Sequence, residues 1–290
     1  MKHLLVLQSD FGLSDGAVAA MEGVALSVDP SLRIYSLTHD IPPYDTYEAS
    51  YRLLQAVPFW PEGSVFVSVV DPGVGSARRS CAALTANGQI IVSPDNGTLS
   101  HLAKVIGIRA IREVGEDVRR IGSQYSQTFH GRDIYAYLGA LLASGKRSFE
   151  DVGPEYPAEE IVRLAIPEAA VSDGEIIGTI ETLDVRFGSL WTNISSEVFQ
   201  NLGVNYGDLI DLSIYSGSRK VHRSFINYAR TFADVEVGES LVYVNSMNHM
   251  AVAINQGSFA DAYHIGTRGD WKITMKPADR TKTGSGRSGS

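Results

Sequence analysis

Two uninterrupted apolar runs, Leu4–Gln8 (LLVLQ) and Ser64–Val70 (SVFVSVV), show no polar alternation, so each predicts a strand buried on both faces of a parallel sheet. The stretches Gly16–Val28, Tyr47–Val57, Thr98–Ile106 and Ile134–Ala143 place apolar residues at helical spacing. This alternation continues to about Gly145 and predicts an N-terminal α/β domain, residues 1–152, whose central, mostly parallel sheet is covered by helices on both faces. After a Pro/Glu-rich connector, Gly153–Glu159, the pattern shifts to short runs separated by turns: Gly174–Thr182, Ser189–Ile194, Leu209–Tyr215, Ser240–Val244, Met250–Asn255 and Trp271–Met275. These predict a smaller all-β barrel or sandwich over residues 160–278. Residues 281–290 (TKTGSGRSGS) read as a flexible Gly/Ser tail outside both domains.

Composition narrows the function classes. At 290 residues and 44% hydrophobic, the chain can bury one or two sizeable cores. It has no long apolar segment and no cleavable signal, so a cytoplasmic protein without a membrane partner is expected. A formal charge of −8 argues against nucleic acid as a partner and suits a cationic small molecule. The single cysteine, Cys81, lies in an apolar stretch and reads as a buried small hydrophobe. No Cys/His cluster has zinc-ligand spacing, and no metal is expected.

Both apolar runs end in carboxylates. Val69–Gly75 (VVDPGVG) closes the second run with Asp71 and a tight glycine turn, and the first runs into Ser9-Asp10-Phe11-Gly12. Ligands of open α/β sheets bind beyond the carboxyl ends of the strands, so two acids at neighbouring strand tips point to a polar small-molecule site. Asp15 has a structural use as the cap of the following helix. His130, in Thr128–Asp133 (TFHGRD), precedes another helix, where a ring nitrogen can reach a cleft. By themselves Arg78 and Arg79 read as solvated charges; adjacent positions on a strand point to opposite faces, so only one of them can face a site.

The ordered set SDFGLSD (Ser9–Asp15), VVDPGVGSARR (Val69–Arg79), PDNG (Pro94–Gly97), TFHGRD (Thr128–Asp133), LDVRFGSLWTNI (Leu183–Ile194) and VNSMNHMAVAINQG (Val244–Gly257) resembles the S-adenosyl-L-methionine hydroxide adenosyltransferases, relatives of fluorinating and chlorinating enzymes. The resemblance spans about Met1 to Tyr263. It implies an N-terminal α/β domain followed by a C-terminal β-barrel, and a homotrimer whose sites lie between subunits. It also implies attack of activated water on ribose C5′ of S-adenosylmethionine, which is the substrate, with no further cofactor, giving adenosine and L-methionine.

By resemblance, Asp71, Arg78 and His130 match a water-activating triad, with either Asp71 or His130 as the proton acceptor. Asp10 matches a carboxylate that clamps the ribose diol, and Tyr44 replaces a tryptophan beneath the ribose. Phe187 and Phe232 match aromatic walls around adenine, Ser189 stands where the halogenating relatives have an adenine-facing asparagine, and Gln256 offers its backbone to the base. Asp184 matches the acid for the methionine ammonium, with Ser246 in the same subsite, and Met247 occupies the place of an arginine in the halogenating branch. Three other readings make different demands. A non-catalytic nucleoside-binding module has no need of Asp71, Arg78 and His130 together; a halide-using enzyme is disfavoured by a carboxylate at position 71; a methyltransferase calls for a glycine-rich loop that SDFGLSD matches poorly.

Overall fold

Leu5, Leu7, Val65 and Val67 are fully excluded from water, and their strands, β1 (Leu4–Ser9) and β3 (Val65–Val69), are parallel neighbours. Between them the chain forms α1 (Ala17–Val28), β2 (Arg33–Thr38) and α2 (Thr46–Ala56). It continues through β4 (Ser80–Thr85), β5 (Ile90–Pro94), α3 (Ser100–Val105), β6 (Ile108–Glu113) and α4 (Tyr137–Ala143). The computed structural model describes residues 4–279, and the chain parts between Ile166 and Pro167 into two compact units. The expected tail, 281–290, lies outside the described residues.

The sheet of the first unit runs β2-β1-β3-β5-β4-β6. The β1–β2, β1–β3 and β3–β5 pairings are parallel, whereas β4 is antiparallel to both β5 and β6. It is therefore a mixed sheet rather than the mostly parallel one expected. The cause is the short link between β4 and β5, which permits a hairpin but not the crossover a parallel pair needs. Two local expectations also shift. The first helix begins at Ala17, and Asp15 still accepts the Ala17 N–H at 2.9 Å. The helix expected from Ile134 opens instead with a π-helical turn over Gly131–Ala136.

The second unit contains β7 (Ala170–Ser172), β8 (Glu175–Asp184), β9 (Ser189–Ser195), α5 (Ser196–Gln200), β10 (Leu209–Ser216), β11 (Arg219–Tyr228), β12 (Ser240–Val244), β13 (His249–Ile254), α6 (Phe259–Tyr263) and β14 (Trp271–Pro277). The order β14-β10-β11-β12-β13-β9-β8 closes through a β14–β8 pairing into a seven-stranded barrel, flanked by β7. Closure removes open strand edges. Alternate residues Ile210, Leu212 and Ile214 of β10 are buried in its core with Ile180, Val252 and Ile273. The unit is not purely β: Phe199 and Phe259, from two one-turn helices, belong to the same core. Among the described residues, no helix is long and apolar enough to cross a membrane.

His101, on α3, is buried against Tyr47 and Tyr51, and its Nδ1 lies 2.9 Å from Ser50 Oγ. Burial, with a smaller contribution from Lys104, lowers its pKa to about 4. The folded chain thus holds His101 neutral where the unfolded chain would protonate it. This contribution is complete above the unfolded value near 6.5 and is lost as pH falls toward 4, amounting to on the order of 3 kcal/mol. Urea unfolding between pH 7 and 4 should show a shallower loss of stability in His101→Gln than in the parent chain. Parallel pH dependences would show that this histidine is not involved.

Candidate active site

Ser9 and Val69 are paired in register, so the carboxyl ends of β1 and β3 finish level and carry Asp10 and Asp71 to the same rim. A cavity of about 400 Å³ opens there, bordered by Asp10, Tyr44, Asp71, Phe129 and His130. Asp10 Oδ2 accepts the Tyr44 N–H at 2.8 Å. Tyr44 has a φ of +67°, a left-handed conformation that costs a non-glycine residue of order 1–3 kcal/mol. Asp10 therefore holds a strained, exposed aromatic at the cavity mouth.

At the other carboxylate, Arg78 Nε donates to Asp71 Oδ1 at 2.7 Å and Nη2 donates to Oδ2, a two-pronged pairing only a guanidinium can make. The side chains retain 12% and 6% exposure, so this is a largely dry ion pair rather than a solvated charge. Arg78 Nη1 donates to Ser80 Oγ at 2.8 Å, which lies 2.9 Å from the Tyr135 hydroxyl. Burial opposes the Arg78 charge, but its bonds to Asp71 outweigh that and hold it above its ordinary value. Arg79 points elsewhere, donating to the Glu160 carbonyl at 2.7 Å and approaching Asp95 at 3.3 Å; both arginines lie in the segment just before β4.

His130 completes the group. Its Nδ1 lies 3.2 Å from Arg78 Nη2, and its Nε2 lies 3.2 Å from Arg119 Nη2. A neutral imidazole has one accepting nitrogen, so it takes a hydrogen bond from only one of these two guanidiniums at a time. Arg119 is the residue sequence reasoning missed; beside Arg120, nothing local marks it. Arg120 instead joins Arg132 on the buried Asp133 carboxylate. Burial opposes the Asp133 charge, yet these hydrogen bonds and charges hold its pKa below the ordinary value. Gly131 packs closely, since a Cβ there would lie 3.1 Å from Phe11 Cε2 and 3.2 Å from Val69 Cγ1 and would need those side chains to give by a few tenths of an ångström.

The barrel unit has a cavity of its own, about 580 Å³, bordered by Asp184, Arg186, Phe187, Ser189, Phe232 and Gln256 among others. The N–H groups of Phe187 and Gly188 donate to the Asp184 carbonyl at 3.1 and 2.7 Å, closing a tight turn between β8 and β9. Phe187 is 65% exposed on that turn, and Phe232 stands 5.0 Å from Tyr243. Asp184, Phe187, Ser189, Phe232 and Gln256 thus border one space. Ser246 does not: it lies exposed in the turn between β12 and β13, outside the cavity lining.

The N-terminal domain model of the SAM hydroxide adenosyltransferases matches residues 5–153, and the C-terminal domain model matches residues 178–272. The chain belongs to this family. It is 37% identical over 264 residues to a protein of Salinispora tropica named (R)-S-adenosyl-L-methionine hydrolase, covering 90% of this chain and 94% of that one. A Thermus thermophilus protein of the same name is 35% identical, covering 88% and 92%. A fluorinase of Actinoplanes is 30% identical over 90% of this chain and 94% of its own. Among solved structures, an uncharacterized conserved protein from Thermotoga maritima superposes with a TM-score of 0.85 at 31% identity, covering 94% of this chain and all of that one. Asp71, Arg78 and His130, which the resemblance brought together, meet beyond the carboxyl end of β3.

Cys81 takes no part in this group. It is fully buried on β4, and burial pushes its thiol up to about 12, so it is a packed hydrophobe rather than a nucleophile. The dry Asp71–Arg78 pair has a consequence for stability. Asp71→Ala leaves a buried guanidinium unpaired and should cost roughly 3–5 kcal/mol in urea unfolding. Asp10→Ala removes one partly exposed hydrogen bond and should cost about 1 kcal/mol. Equal losses in the two variants would show that Asp71 is not structurally coupled to Arg78.

Proposed function

We propose that the chain hydrolyses S-adenosyl-L-methionine at ribose C5′, releasing adenosine and L-methionine, and that Asp71, Arg78 and His130 form its catalytic group. The observation that carries the assignment of residues is the contact among these three side chains beside a cavity at the ends of β1 and β3. The sulfonium leaves as a neutral thioether and needs no proton. The protein must instead activate water, align it behind C5′ and exclude other nucleophiles. Arg78 holds both Asp71 oxygens and the Nδ1 edge of His130, so both groups are oriented at the cavity and either Asp71 or His130 takes the water proton as the C5′–O bond forms. A carboxylate at position 71 repels a halide in that place.

In the same reading Asp10 accepts from the ribose hydroxyls and Tyr44 supports the sugar. Phe187, Phe232, Ser189 and the Gln256 backbone take the adenine, while Asp184 takes the methionine end without Ser246, which lies outside that cavity. The same reading takes the chain as a homotrimer in which the sheet unit of one subunit and the barrel of the next share a substrate; a cavity in each unit, both with exposed aromatics, supports that sharing. The reaction needs neither metal nor added cofactor, and a cytoplasmic location belongs to this reading.

Three experiments test it. In heavy-oxygen water with chelator and chloride present, the purified protein should yield adenosine labelled at the 5′-hydroxyl; 5′-chlorodeoxyadenosine, methylthioadenosine or no product would overturn the assignment. Asp71→Asn and His130→Ala should lower turnover by about 10²–10⁴-fold with little change in half-saturation, while Asp10→Ala mainly raises half-saturation. For the shared site, co-assembling Asp71→Asn with Asp184→Ala chains should recover about one quarter of parent activity, since random mixing gives that fraction of interfaces with two intact halves. No recovery in mixed assemblies would place each site within one chain.

A further inference from the structure

The barrel cavity is lined by neutral groups with two exceptions, Asp184 and Arg186. Both sit on the turn between β8 and β9, whose backbone is held by the two hydrogen bonds to the Asp184 carbonyl. Gly188 anchors that turn: its φ is +65°, and a Cβ there would fall 1.9 Å from Ser258 Oγ. An acid and a base are thus presented to one space by a rigid five-residue segment, 184–188.

Among the described residues neither Arg186 nor the Asp184 carboxylate forms an ion pair or a side-chain hydrogen bond, so both charges that face the cavity are available to a ligand. An α-amino acid zwitterion carries the complementary pair of charges, an ammonium and a carboxylate on one carbon. The methionine end of the proposed substrate is such a group. A guanidinium receives a carboxylate through two parallel N–H bonds, which specifies the planar anion as well as its charge.

We propose that Arg186 is a specificity-determining residue that holds the substrate's α-carboxylate while Asp184 holds its ammonium. This rests on S-adenosylmethionine being the substrate, and the test separates the two claims by using decarboxylated S-adenosylmethionine, which keeps the sulfonium, the ammonium and C5′. The parent protein should prefer the carboxylated compound by roughly 10- to 100-fold in kcat/KM, the range expected for a charge-assisted hydrogen bond. Arg186→Met should abolish that preference through a raised KM for S-adenosylmethionine, leaving kcat and the decarboxylated compound little changed. Arg186→Lys, which keeps the charge but not the fork, should recover part of the preference. Calorimetric binding of the two compounds reads the same discrimination without turnover. Equal losses for both compounds in Arg186→Met, or an intact preference, would overturn the role of Arg186. Binding of both compounds without adenosine release by the parent protein would overturn the hydrolytic reading and leave the binding comparison to decide Arg186.

Discussion

The bidentate contact between Asp71 and Arg78 organises the chemistry of the sheet unit. Asp71 lies just past the end of β3, and a turn returns the chain so that Arg78, seven residues on, meets both carboxylate oxygens. The same guanidinium bonds Ser80, which contacts Tyr135, and reaches His130, which is 52 residues away in sequence. Arg78 thus joins a strand end, a hairpin strand and the residue that opens the π-helical turn. A lysine provides a charge there but not the planar fork, so it cannot hold two oxygens and an imidazole edge together. Water exclusion makes the pairing stiff, and an unpaired charge in that place unfavourable.

Both cavities keep large aromatics open to solvent by backbone means. Tyr44 is held out by a left-handed residue conformation and the Asp10 bond, and Phe187 by the turn that Gly188 permits. Leaving such rings exposed forgoes roughly 1.5–3 kcal/mol of burial each, which a flat partner seated on them would recover. This fits the purine and ribose assigned to these surfaces.

The strands β1 and β3 were legible because unbroken apolar runs have few solutions other than a buried strand, and the acids that follow them were legible because a polar residue then a glycine turn ends such a run. Strand β11 (RKVHRSFINY) was not, since it buries little besides Ile226 and Tyr228 and owes its place to pairing with β10. The mixed sheet was only half visible, as the short interval between β4 and β5 signals a hairpin but does not say where β6 will join.

Within the site, the sequence by itself determined the identity of the acids at the strand ends, the histidine before its helix, the buried character of Cys81 and the family to which the motifs belong. Periodicity and turn chemistry act over a few residues, and these features are local. Only the tertiary structure decided that Arg78 takes both Asp71 oxygens in a two-pronged pairing, that Arg119 reaches the far nitrogen of His130, that Arg186 shares a cavity with Asp184, and that Ser246 lies outside it. Those outcomes depend on strand register and on which loops pack at one sheet edge or one end of a hairpin, and such distant pairings leave no mark on the spacing of residues along the chain.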